Sequence, residues 1–257
     1  MRINRRPGKI SAGPLVFLMI STAFVSVALA DRSKWPEWCT ATDVAFWKPY
    51  EADANTYVLV HFDDPDLKAA EGKVSGAGNP SGGVKPSAEG KFSSCAQFDG
   101  TGFLSIPMQQ MNPVSMWDHP VAGALSLEAW VYVGKYPEKG TSIILLKQNN
   151  KGQSSGFMLG IDSEGALCMG MNSFNKAASN CRSKPGVVPL SEWTHVAGIS
   201  CSGHLSVNND TLYVNGNEVF RGNGSGAGGD PEKACSELFV GGSPDGGGFV
   251  GKIDEVR

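Results

Sequence analysis

The run Ser126–Val133 (SLEAWVYV) constrains the fold more than any other stretch of this chain. Leu127, Ala129, Val131 and Val133 fall at every second position, and Trp130 and Tyr132 occupy the positions between. A period of two is that of a β-strand, whose successive side chains leave opposite faces. Apolar groups on both faces put this strand in the middle of a two-layer structure. Comparable runs recur at short intervals: Tyr57–Phe62, Cys95–Phe98, Phe103–Ile106, Ser142–Lys147, Gly156–Ile161, Ala166–Asn172, Trp193–Cys201, Thr211–Val214, Glu218–Phe220, Leu238–Val240 and Lys252–Val256. Asn215-Gly216 between two of them is a strong hairpin signal, and Asp99-Gly100 joins two others as a second expected hairpin. Residues 68–90, rich in Gly, Ser, Pro and Ala, read as a long surface loop. No convincing amphipathic helix interrupts the series, and 33 glycines in 257 residues suit many turns. The pattern predicts an all-β, antiparallel two-sheet sandwich.

The chain opens on a basic stretch, Met1–Lys9, followed by the apolar Leu15–Val27 and the small-x-small sequence Ala28-Leu29-Ala30. These are the parts of a secretory signal peptide over residues 1–30, and they predict an extracellular or periplasmic protein. Residues 31–56, with Trp35, Trp38, Trp47 and Tyr50, read as an arm packed on the domain that follows at 57–257. The formal net charge is −3, and the four cations Arg2, Arg5, Arg6 and Lys9 fall in the signal region, so the rest is more acidic still. That balance argues against nucleic acid as a partner.

Export changes the meaning of six cysteines, since an even number in an exported chain favours disulfides. A two-residue hairpin centred on Phe174-Asn175 sets Cys168 directly opposite Cys181, within bridging reach. Chain proximity alone suggests Cys39–Cys95 and Cys201–Cys235.

The runs YVLVHFDD (57–64), CAQFDGTGFLSIP (95–107), SLEAWVYV, PLSEWTHVAGI (189–199), TLYVNGNEVF (211–220), LFVGG (238–242) and GKIDEVR (251–257) follow one another in that order. Together they resemble the laminin G-like jelly-roll domains of the concanavalin A-like superfamily, over nearly all of residues 57–257. The resemblance implies a binding or adhesion module for carbohydrate or extracellular protein. It also implies a structural calcium: if the first and last strands pair antiparallel, Asp63 and Asp254 converge at one rim, and carbonyls near Asp99-Gly100 complete an all-oxygen shell.

Catalytic and nucleotide signatures are weak. Gly224–Gly229 matches G-x-G-x-x-G without a following helix, and Gly246–Lys252 lacks the Ser/Thr that a phosphate loop needs. The four histidines build no ligand pair, and His195 reads as a hydrogen-bonded core histidine. Some sandwiches of this superfamily cleave polysaccharides with carboxylates aligned on one strand face as E-x-D-x-x-E. No such run occurs here: Asp254 and Glu255 are adjacent, Glu128 stands alone in its strand, and Asp162 and Glu164 belong to a turn. A non-catalytic module is therefore expected, with a hydrolase or lyase of the same fold, or a structural accessory domain, as the alternatives. Trp47, Tyr50, Trp117 and Phe174, aromatic residues outside the strand pattern, are the candidate ligand contacts.

Overall fold

The computed structural model describes residues 48–67, 70–72, 78–107, 124–147, 157–171, 181–201, 209–223 and 237–257. Fourteen strands form within them. They are β1 (Asn79–Ser81), β2 (Val84–Ser87), β3 (Cys95–Asp99), β4 (Phe103–Pro107), β5 (Ala124–Lys135), β6 (Thr141–Lys147) and β7 (Phe157–Asp162). The series continues with β8 (Leu167–Met171), β9 (Cys181–Arg182), β10 (Trp193–Cys201), β11 (Asn209–Val214), β12 (Asn217–Asn223), β13 (Glu237–Val240) and β14 (Val250–Asp254). They build two antiparallel seven-stranded sheets. The front sheet runs β12-β11-β10-β5-β14-β3-β2 and the back sheet β1-β4-β13-β6-β7-β8-β9. No helix occurs among the described residues.

The alternation in β5 does what its period demands. Leu127, Ala129, Val131 and Val133 enter the core, where they join Val196, Leu212, Val214 and Ile253 of the front sheet. Leu104, Ile106, Ile144, Leu159, Ile161 and Leu167 face them from the back sheet. Burying each such side chain contributes roughly 1.5–3 kcal/mol, and this shared interior is what holds the two layers together. A second apolar cluster, Ile143, Leu146, Met158 and Phe239 with Phe103 against it, uses the alternate positions of β6, β7, β13 and β4.

Three expectations need correction. Tyr57–Phe62 does not form a continuous strand: it makes isolated bridges at Leu59 to Glu71 and at Val60 to Val256. Phe62, at φ +60°, turns the chain away directly afterwards. The stretch 68–90 is not all loop, since β1 and β2 lie within it; both are edge strands, and Pro80 and Pro86 withdraw backbone donors there. The third correction concerns β3 and β4, which do not pair with each other. The Asp99-Gly100 turn forms, with Asp99 Oδ1 accepting the Thr101 N–H at 2.9 Å and Gly100 at φ +91°. Yet β3 pairs β2 and β14 while β4 pairs β1 and β13. Ala96 and Phe98 meet Leu104 and Ile106 across the core from opposite layers, so the turn is a crossover between sheets.

The register around the cysteines differs by one residue from the expected one. Cys168 opposes Arg182, and Met169 opposes Cys181. Leu167 and Met169 are core residues, which sends Cys168 to the other face while Cys181 joins the core. A one-residue slip reverses the face of every side chain on a strand. Cys168, Cys181 and Cys95 are all free, buried thiols in the structure, so neither the Cys168–Cys181 bridge nor Cys39–Cys95 is formed. Cys39, Cys235 and the side chain of Cys201 lie outside the described residues, and with them the Cys201–Cys235 pairing.

Candidate functional site

The positions of β5 that do not enter the core point outward from the front sheet, and its neighbours extend them into rows. Trp193 of β10, Tyr132 of β5 and Lys252 of β14 stand side by side. His195, Trp130 and Asp254 form the next row, and Ala197 and Glu128 the one after. Arg257 continues that third row, exchanging backbone hydrogen bonds with Glu128 in both directions (2.7 and 2.9 Å).

The first row is half-buried and aromatic. Tyr132 and Trp193 meet edge to face at 5.9 Å between centroids, and the Lys252 ammonium lies 5.1 Å from the Tyr132 ring centre. Lys252 also pairs with Glu89. Ring edges carry partial positive charge and faces partial negative, so both contacts hold the rings in place as a platform.

The second and third rows hold a polar cluster. Glu128 Oε2 lies 3.2 Å from His195 Nε2, and Glu128 Oε1 accepts from the Arg257 guanidinium. Burial alone would raise the Glu128 pKa, but the hydrogen bond and charge of His195 and the charge of Arg257 outweigh it and hold the carboxyl below its ordinary value. His195 is pinned by the β11–β12 turn. Its N–H donates to Asn215 Oδ1 (2.9 Å), and its carbonyl accepts from the Asn215 N–H (2.8 Å). Asn215 and Gly216 sit at φ +49° and +75°, the left-handed pair that this short hairpin requires. Glu255 at φ +51° bends the chain after β14, which lets Val256 pair with Val60 and brings Arg257 to Glu128. Glu255 itself is buried; its two oxygens accept the Tyr50 N–H (2.7 Å) and meet His61 Nδ1 (2.7 Å).

Tyr50 is the one sequence-derived ligand candidate that falls among the described residues; Trp47, Trp117 and Phe174 lie outside them. Its ring packs edge-on to His195 at 6.2 Å, and the Arg257 guanidinium sits 5.0 Å over its face. Burial, and then the Glu128 charge, raise its pKa far above the ordinary phenol value. The hydroxyl is buried beside Glu128, whose hydrogen bond adds to that rise.

A laminin G family model, described as the concanavalin A-like lectin/glucanases superfamily, matches residues 105–257. The chain belongs to that superfamily. No curated protein matches it in sequence. Among solved structures, a botulinum neurotoxin type C whose cell entry is described as dependent on interaction with two ganglioside molecules superposes with a TM-score of 0.52. The identity is 11%, over 77% of this chain and 46% of that one. The IT-sialidase CBM40 of Ruminococcus gnavus gives 0.43 at 15% identity, covering 62% and 85%. A Trypanosoma rangeli sialidase in complex with the inhibitor DANA gives 0.47 at 14%, covering 77% and 29%. At these identities the likeness concerns the fold.

This concanavalin A-like domain places Asp63 and Asp254 on the same turn, but not as calcium requires. Asp254 Oδ2 accepts the backbone N–H groups of Lys91 (2.7 Å) and Phe92 (3.4 Å), and Oδ1 accepts that of Glu255 (2.9 Å). Asp63 Oδ1 accepts the Ser94 N–H (3.0 Å). N–H donors occupy both oxygens of Asp254 and one of the exposed Asp63, whereas calcium takes 6–8 oxygen ligands. Among the described residues no group of three or more His, Cys, Asp and Glu side chains is arranged for a metal ion. The two acids order the 91–94 turn instead, and the residues present do not fit the calcium site. Burial pushes the Asp254 carboxyl up to about 7, with Glu255 adding to the rise and the N–H donors opposing it.

The sequence reading missed the outward positions of the front sheet. Glu128 stands alone along its own strand, but across strands it gains His195 and Arg257. The signal was available in the Glu128, Trp130, Tyr132 half of the alternation that identified β5.

Proposed function

We propose that this protein is an exported, non-catalytic module that binds carbohydrate on the outer face of the front sheet. The observation that carries the reading is the first row, where Trp193 and Tyr132 form a half-exposed aromatic platform beside the Lys252 ammonium. Aromatic faces pack against the apolar C–H side of sugar rings, and a flanking cation and hydroxyl supply hydrogen bonds to the rim. A central, doubly paired strand keeps the platform rigid, which lowers the entropy lost on binding. The basic, apolar and small residues of 1–30 support export.

The carboxylates support binding over hydrolysis. A glycosidase acid must hold a proton at working pH, but Glu128 is held ionised by His195 and Arg257. Asp254, pushed up to about 7 by burial, has both oxygens engaged by backbone N–H groups rather than presented to a ligand. A glycan array probed with the wild-type protein and with Trp193→Ala and Tyr132→Ala tests the reading. Selective glycan signals weakened several-fold in both variants are expected. Signals indifferent to both substitutions would remove the platform from the account.

A further inference from the structure

We propose that Cys181 and Asp210 form a binding site for one thiophilic divalent cation of the zinc and cadmium class. The inference is independent of the carbohydrate reading and concerns the interior of the sandwich rather than its outer face.

The site follows from the alternation of β11. Leu212 and Val214 are core residues, and the same period of two turns Asp210 inward, where it is 2% exposed. A carboxylate at a core-facing position is costly unless it is paired or fully hydrogen-bonded. Asp210 is neither. Its Oδ2 accepts from the Cys181 thiol at 3.0 Å, and its Oδ1 is buried without a hydrogen-bond partner. Among the described residues no Lys, Arg or His pairs with it. An orphaned buried oxygen of this kind calls for a missing water or ion. The thiol beside it decides between the two, because thiolate and carboxylate together carry the two negative charges that a divalent ion balances.

The surroundings are soft. Cys181 is 3% exposed, and Met169, directly opposite it in the β8–β9 ladder, faces the same interior. Sulfur ligands select zinc-like and softer ions over calcium or magnesium, which take oxygen. Burial, followed by the Asp210 hydrogen bond and charge, raises the Cys181 pKa, so the metal-free thiol stays protonated. Binding replaces that proton: the S–H bond breaks, a sulfur–metal bond forms, and the proton leaves to solvent. With zinc ~2.3 Å from sulfur and ~2.0 Å from oxygen, a tetrahedral angle sets S and O about 3.5 Å apart. The pair, at 3.0 Å, reaches that spacing by a small widening, and water completes the shell. The two-residue β9 is the edge of the back sheet and packs against β11 and β12, so the pair lies toward the lateral edge of the sandwich, which gives an ion its entry.

The test titrates cadmium, zinc and magnesium into the full chain, freed of metal by a chelator. Cadmium is followed by its thiolate charge-transfer absorption and zinc by competition with a chromophoric chelator. Wild type is expected to bind one equivalent more of cadmium and of zinc than Cys181→Ser does, and magnesium is expected to compete with neither. Asp210→Asn, which keeps the shape of the side chain, is expected to weaken that equivalent at least tenfold. Cys168→Ser, whose thiol leaves the other face of the back sheet, is expected to retain it. Equal stoichiometry in wild type and Cys181→Ser overturns the proposal. Binding by Asp210→Asn as tight as wild type overturns it too, and reduces the pair to a buried thiol hydrogen bond. If Cys181→Ser fails to fold, Asp210→Asn decides alone. Peptide mapping without reductant that finds Cys181 in a disulfide also refutes the site.

Discussion

Replacing Glu128 by Gln removes a charge from the centre of the polar cluster while keeping its shape. Two hydrogen bonds change character, one to His195 at 3.2 Å and one to Arg257. A hydrogen bond to a charged group contributes about 1.5–3 kcal/mol and a neutral one about 0.5–1.5, so each loses about 1 kcal/mol. Arg257 is 36% exposed and stays partly hydrated, which discounts its share, and the expected total is about 1–2 kcal/mol. For a domain of this size that is a fall in Tm of roughly 2–8 °C. The loss depends on pH in a defined direction. Glu128 has a lowered pKa in the folded state, so its stabilisation is present above the unfolded carboxyl pKa and fades as pH falls through the folded value. Thermal melts of wild type and Glu128→Gln between pH 3 and 8 should therefore differ most near neutrality and converge in acid. A double-mutant cycle with Arg257→Met should give a coupling of about 1 kcal/mol. Melting points within 1 °C across the range, or zero coupling, would refute the view that this cluster ties the Arg257 segment to the sheet face.

Two further outcomes follow from buried groups. Asp254, with its folded pKa near 7, binds a proton more tightly folded than unfolded, so wild-type stability should fall relative to Asp254→Asn as pH rises from about 4 to about 7. A difference that does not change with pH would show that the three backbone N–H groups cancel the effect of burial, and a difference of opposite slope that they outweigh it. Burial pushes the thiols of Cys95 and Cys168 up to about 11 and about 12, and Cys181, donating to Asp210 Oδ2 at 3.0 Å, is raised further still. Native protein should react with a thiol reagent far more slowly than unfolded protein, and peptide mapping without reductant should find Cys168 and Cys181 unjoined; a Cys168–Cys181 peptide would overturn the register.

How much of this was legible in the sequence depends on what each feature needs. Leu127, Ala129, Val131 and Val133 announce β5 because burial on one face imposes a period of two within a single strand. Asn215-Gly216 announces its turn because few other residues accept two left-handed positions in succession. The cysteine register was not legible in this way. It is set by which of Cys168 and Met169 faces the core, and the neighbouring strand β7 fixes that choice by pairing Gly160 with Cys168. The partner sheet of β4 was hidden likewise, because a crossover and a hairpin use the same Asp-Gly turn. The site was least visible of all. Glu128, His195, Arg257 and Tyr50 lie far apart along the chain and meet through strand order, which no local pattern encodes.

The central claim is that the face bearing Trp193 and Tyr132 binds carbohydrate without cleaving it. The most direct measurement takes one array-positive oligosaccharide, titrates it against wild type and Trp193→Ala by calorimetry, and assays the recovered sugar for new reducing ends. The account predicts saturable binding to wild type, an affinity about fivefold weaker in Trp193→Ala from the loss of about 1 kcal/mol of ring contact, and intact sugar in both. Reducing ends that appear with wild type and vanish in Glu128→Gln, or binding that Trp193→Ala leaves unchanged, would contradict it.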